Sequence, residues 1–209
     1  MIKCDSVLFD LDGTLWDTTA ALAKVWQQAL IDEPNARREL TQADIAGIMG
    51  MTSVELMHKL FPHLSDQRGA ELFDRLCIIE DDYLRQHGGI LYEGLEETLR
   101  ALSKKFPLAI VSNCGPGYIP TFFEAHGLEK YFADWECIGR TGLQKGENIR
   151  LVSERNSFKA PVYVGDTSMD QAAAEAAGVP FIFAAYGFGN VEGFPAVDRP
   201  AGLLELLDL

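Results

Sequence analysis

The sequence predicts an α/β protein: a parallel sheet covered by helices and interrupted once by a helical insertion. Three observations lead there. Short apolar runs alternate with helical patterns over much of the chain, as expected for strands buried on both faces. From about residue 17 to residue 89 the alternation stops, and only helical periodicity remains. Three of the apolar runs end in acidic or hydroxyl residues, at the sheet edge where open α/β proteins bind ligands.

The first strand is expected in "SVLFDLD", starting at Ser6. Helical stripes follow. Leu22, Val25, Trp26, Ala29 and Leu30 fall at i, i+3, i+4, i+7 and i+8, and Leu72, Leu76, Ile79 and Tyr83 make a second stripe. "HGG" at His87 to Gly89 punctuates the end. The sheet then resumes with "PLAIVSN", "DWECIG", "APVYVGD" and "VPFIFAA". Helices are expected in "LEETLRALSKK", "PGYIPTFFEAHG", "GENIRLVSERN" and "MDQAAAEAAG". Two of these run into Gly127 and Gly178, the usual way to end a helix. The expected division is a core of residues 1–16 and 90–209 with a helical cap of residues 17–89.

Composition narrows the function. Net charge is −13, from 31 acids against 18 Lys and Arg, which argues against a nucleic-acid binder. An acidic surface does not steer anions in, so any anion site has to be built locally from a metal ion, a lysine or backbone N–H groups. The four cysteines show no close pair, and no apolar run is long enough for a membrane span. Asp5, Asp10 and Asp12 interrupt any signal-peptide core. The expectation is a cytoplasmic protein with no membrane partner.

The strand ends carry the chemistry. Asp10 closes the first strand, with Asp12 two residues on. Ser112 and Asn113 close the second, and Asp166 closes the fourth, with Asp170 beyond. A lone Asp at such a place is usually a turn former or a helix cap. Four carboxylates on one edge are a different matter, because they repel one another. Hard oxygen ligands around Mg²⁺ relieve that repulsion, and Mg²⁺ shares its shell with phosphate. Lys145, at a helix start, adds positive charge.

These residues resemble the haloacid dehalogenase-like (HAD) hydrolase superfamily, in its phosphoglycolate-phosphatase-like branch. "FDLDGTLWDT" is similar to the family's first motif, DxDGT after apolar residues, and "IVSN" to the second. Lys145 in "GLQKGEN" falls at the third, and "VGDTSMDQAAAEAAG" is similar to the fourth, GDxxxD before an alanine-rich helix. The resemblance covers nearly the whole chain. One departure stands out: Gly146 follows Lys145 where this branch commonly has proline.

The resemblance implies a Rossmann-like core and a Mg²⁺-dependent phosphatase acting on a small phosphate ester. Asp10 would be the nucleophile, forming an aspartyl-phosphate. Asp12 would protonate the leaving oxygen and then take a proton from water. Asp10, the backbone carbonyl of Asp12, and Asp166 would hold the metal. Ser112, the N–H of Asn113 and Lys145 would hold the phosphate. Asp170 would orient Lys145 or a metal-bound water, and Thr14 would fix the Asp12 rotamer. Dehalogenases of the superfamily lack an acid at the Asp12 position, so Asp12 argues against that reaction. A sugar phosphomutase shares every catalytic group but needs a basic cap residue, and Glu39 to Met57 contains no Lys, Arg or His. A non-catalytic binding protein on this fold would usually have lost Asp10 or Asp166. Hinges are expected near Leu15 to Asp17 and Gly88 to Tyr92.

Overall fold

A computed structural model describes residues 2–207 of the chain. Its centre is a six-stranded parallel sheet. The strands are β1 (Ser6–Phe9), β4 (Leu108–Ser112), β5 (Asp134–Cys137), β6 (Pro161–Gly165), β7 (Phe181–Ala184) and β8 (Ala196–Val197). They lie in the order β5-β4-β1-β6-β7-β8. The five apolar runs named from the sequence are β1, β4, β5, β6 and β7. β8 carries no sequence signal, because two residues cannot show alternation.

The strands are apolar throughout because both faces are covered. On one face Val7, Phe9, Ile110 and Val164 pack with residues of α5 (Leu95–Leu102) and α6 (Tyr118–His126). On the other, Leu8, Ala109, Val111 and Tyr163 pack with Ile149 and Val152 of α8 (Lys145–Arg155) and with Ala173 and Ala174 of α9 (Ser168–Ala177). Alternate residues of one strand thus point to opposite helical layers. Gly127 and Gly178 end α6 and α9 in the left-handed conformation, as the sequence predicts.

Residues between β1 and α5 form the helical insertion. It holds α1 (Thr19–Ala29), α2 (Gln42–Ala46), α3 (Ser53–Leu60) and the long α4 (Asp66–His87). Thr41 with Asp44 and Thr52 with Glu55 make capping boxes that start α2 and α3. Asp17 accepts the backbone N–H of Thr19 and so serves the start of α1. The chain enters and leaves the insertion side by side: β2 (Trp16–Asp17) pairs antiparallel with β3 (Ile90–Leu91), placing Trp16 opposite Leu91. A short α7 (Ile138–Thr141) and the last helix α10 (Leu203–Leu206) complete the chain. Among the described residues, no helix is long and apolar enough to cross a membrane.

Candidate active site

The sheet order reverses at β1, which lies between β4 and β6. The carboxyl ends of these three strands therefore border one crevice. Asp10, Ser112 and Asp166 stand there, and all three are buried.

Lys145 joins the parts. Its Nζ donates to Asp10 Oδ1 at 2.9 Å and to Asp170 Oδ1 at 2.7 Å. A lysine as the first residue of a helix opposes the helix dipole, and this one is also buried. The two carboxylates offset both costs. Burial pulls the lysine toward neutrality, but attraction to Asp10 and Asp170 outweighs it and holds the ammonium above its ordinary range. Gly146 is no obstacle to this reach. It gives close packing of α8 on α9, since a Cβ there would lie 2.9 Å from the Ala173 carbonyl.

Asp170 is fully engaged by the protein. Its second oxygen accepts the N–H of Thr167 at 3.0 Å and the hydroxyl at 2.7 Å, closing the capping box that starts α9. Asp166 differs. Its Oδ2 accepts the N–H of Phe188 at 2.7 Å, while Oδ1 is buried without a partner. Carboxylate oxygens of Asp10, Asp166 and Asp170 lie within 4.8 Å of one another. Burial first, then repulsion from Asp170, pushes Asp10 up to about 6. Burial and the charges of Asp170 and Asp10 push Asp166 up to about 8. An all-oxygen set whose members resist ionising together, with one orphaned oxygen, suits a hard divalent cation.

Asp12 stands beside Asp10 at the edge of a cavity. Its Oδ1 accepts the Thr18 hydroxyl at 3.0 Å and the Tyr118 phenol at 2.9 Å. Burial and the neighbouring Asp10 push it up to about 7. Thr14 does not hold Asp12, contrary to the expectation. The chain turns at Gly13 with φ +81°, and the Thr14 hydroxyl is buried without a partner while its carbonyl accepts Tyr186 at 2.9 Å. Thr18 and Tyr118 take the orienting role instead. Nothing local marks Tyr118, which meets Asp12 across 106 positions.

Asn113 follows Ser112 and reaches across to the insertion, donating from Nδ2 to the Gly50 carbonyl at 2.9 Å. The loop "GIMGMTSVE" thereby lies over the crevice, with Met49 and Met51 lining the cavity. Gly187 is a second residue with no assigned role in the sequence. A Cβ there would overlap Asp166 and the Gly13 carbonyl, so only glycine lets this loop close onto the carboxylate.

A family model for haloacid dehalogenase-like hydrolases matches residues 7–184. A phosphoglycolate phosphatase of Vibrio vulnificus is 29% identical over 221 residues, covering 97% of this chain and 94% of that one. Another, from Photobacterium profundum, is 30% identical and covers 87% and 83%. Among solved structures, a HAD-superfamily hydrolase from Geobacter sulfurreducens superposes with a TM-score of 0.72 at 21% identity, covering 97% and 96%. A haloacid dehalogenase-like family protein from Streptococcus pneumoniae reaches 0.78 at 18% identity, covering 97% and 98%. With six parallel strands and the motif residues gathered at one sheet edge, the match over residues 7–184 means that the chain belongs to the haloacid dehalogenase-like hydrolase family.

Proposed function

We propose that this hydrolase is a Mg²⁺-dependent phosphomonoesterase for a small phosphorylated metabolite, working through a phosphorylated Asp10. One observation carries the reading. Asp10, at the end of β1, is paired with Lys145 at 2.9 Å and adjoins Asp166, whose Oδ1 has no protein partner.

Asp10, Asp166 and the Asp12 backbone carbonyl would hold the ion, which when bound offsets phosphate charge so that an anionic nucleophile can approach. An Asp10 carboxylate oxygen attacks phosphorus as the bond from phosphorus to the leaving oxygen breaks. Asp12 gives its proton to that oxygen. Water then attacks the aspartyl-phosphate, and Asp12 takes a proton back, so inorganic phosphate leaves and both aspartates are regenerated. A group held near neutrality suits both halves of that exchange. Ser112, the Asn113 N–H and Lys145 would hold phosphoryl oxygens. Asp170 and the Thr18–Tyr118 pair position Lys145 and Asp12. Thr14 has no assigned contact in this scheme.

Residues 17–89 would act as the cap over a core of residues 1–16 and 90–209, closing to exclude water. The loop from Ile48 to Met51, bonded to Asn113, supports that division. The four cysteines are free thiols, which supports a cytoplasmic location.

The test is turnover of p-nitrophenyl phosphate with Mg²⁺, with EDTA, and by Asp10→Asn. Only wild type with Mg²⁺ should release phosphate; equal release in all three would overturn the reading.

A further inference from the structure

The cavity beside Asp12 lies between the insertion and the core and holds about 60 Å³. That alone is below the ~300–1,000 Å³ range of small-molecule sites, which the adjoining opening, of about 470 Å³, reaches. Its walls are apolar and aromatic: Leu22, Trp26, Ile45, Met49, Met51 and Phe73. A second opening continues from it past Phe73 and Glu80 toward Asp74 and Asp81. Among the described residues lining the two there is no Lys, Arg or His. Cations close by in sequence are engaged elsewhere: Lys59 donates to the Gly47 carbonyl, and His58 pairs with Asp66.

Glu80 is the polar group that the catalytic scheme does not use. It is only 6% exposed and projects from α4 into the cavity. The Trp26 indole N–H donates to its Oε2 at 2.7 Å. A carboxyl group keeps more acceptor positions than that one partner fills, in either protonation state, so capacity is left free. A buried carboxyl on a helix, with no cation facing it and an open cavity before it, is costly unless a ligand completes it. Asn113 Oδ1, also on the cavity wall, is a second buried acceptor without a partner.

We propose that the leaving group of the substrate is a small alcohol that carries no negative charge and presents an O–H or N–H donor to Glu80, which acts as the specificity-determining residue. This rests on the phosphomonoesterase reading above. It separates this chain from its relatives named phosphoglycolate phosphatase, because glycolate carries a carboxylate. Entering this cavity, a carboxylate would give up its water for apolar walls and acidic neighbours, with no cation to receive it. A neutral donor or an ammonium meets two waiting acceptors, and an ammonium also meets the faces of Trp26 and Phe73. The unsubstituted phosphate end of each ester is common to all, so discrimination falls on the group that fills the cavity.

Matched two-carbon phosphate esters test this with the wild-type protein and Mg²⁺. The panel is 2-phosphoglycolate, its carboxamide, O-phosphoethanolamine and ethyl phosphate, read as kcat/KM by phosphate release. The carboxamide or the ethanolamine ester should exceed phosphoglycolate by at least about tenfold. Ethanolamine ahead of the carboxamide identifies the donor as a cation; the reverse identifies it as neutral. Phosphoglycolate equal to or above both overturns the proposal while leaving phosphatase activity intact. Failure to hydrolyse p-nitrophenyl phosphate in a Mg²⁺- and Asp10-dependent way is the separate failure of the underlying reading. Glu80→Gln, checked for native circular dichroism, should narrow the ratio of ethanolamine ester to phosphoglycolate at least about fivefold. An unchanged ratio in the folded variant removes Glu80 from the role.

Discussion

Replacing Lys145 with methionine tests the centre of the site. The methionine keeps the length of the stem and removes the ammonium that Asp10 and Asp170 share. Both carboxylates are buried, and Asp166 lies beside them. Removing one partner of a buried ion pair costs about 3–5 kcal/mol, because the remaining charge stays desolvated. At about 2–4 °C per kcal/mol for a chain of this size, Tm in EDTA should fall by about 6–20 °C. The loss has a pH dependence with a fixed sign. Asp10 and Asp166 are held at about 6 and about 8, above the ordinary carboxylate value. Stability tied to such groups is full at low pH, where they are protonated, and is lost as pH rises through those values. Without Lys145 the folded-state values rise further, so the deficit against wild type should be small at pH 5 and largest near pH 8. Mg²⁺ should raise the variant's own stability over its value in EDTA by about 2.7 kcal/mol at one hundred times its Kd. Calorimetry of both proteins at pH 5 and pH 8, with EDTA and with Mg²⁺, reads every term. A variant as stable as wild type at pH 8 in EDTA would refute the pairing argument.

Three further outcomes are expected. Tyr118→Phe removes a donor that lowers the Asp12 pKa, so the alkaline limb of the kcat/KM profile should move to higher pH; a limb that stays in place or moves down contradicts the Asp12 assignment. Gly187→Ala forces a Cβ against Asp166, and titration calorimetry should show Mg²⁺ binding weakened at least about tenfold. Glu80 is pushed up by burial to about 8, above its ordinary value of 4.5, so its ionisation destabilises the fold as pH rises through 8. Glu80→Gln should therefore gain on wild type in urea melts between pH 6 and pH 9, and a constant difference would count against a buried, late-ionising carboxyl.

Much of this molecule is legible in its sequence, and the reasons are physical. Strands such as β1 and β4 are covered by helices on both sides, so every residue from Val7 to Phe9 and from Leu108 to Val111 is apolar and the run announces itself. Carboxylates at the ends of such runs, like Asp10 and Asp166, stand out because burial there is expensive. Residues that act by meeting a distant partner leave no local trace. Tyr118 reads as a core aromatic of α6, and Glu80 as one acid of an acidic helix, until folding sets them against Asp12 and Trp26. Thr14 misled for a related reason: nearness along the chain suggested contact with Asp12, but the turn at Gly13 separates them. The two-residue strands β2, β3 and β8 are too short to carry a period.

The pairing of β2 with β3 has a consequence for how the insertion can travel. Its two tethers run alongside each other, joined by backbone hydrogen bonds, with Trp16 anchored against Tyr118 and Phe122 at the base. Independent tethers would allow tumbling and sliding in several directions. A bonded ribbon would twist as one piece, so any rotation of residues 17–89 against the sheet would follow a single path. Along that path Gly50 and Glu80 would leave Asn113 and Asp12 in the same stroke. Admission of a leaving group and release of the clasp on the phosphate loop would then be one event, and a protein held open by any means would lose selectivity together with retention.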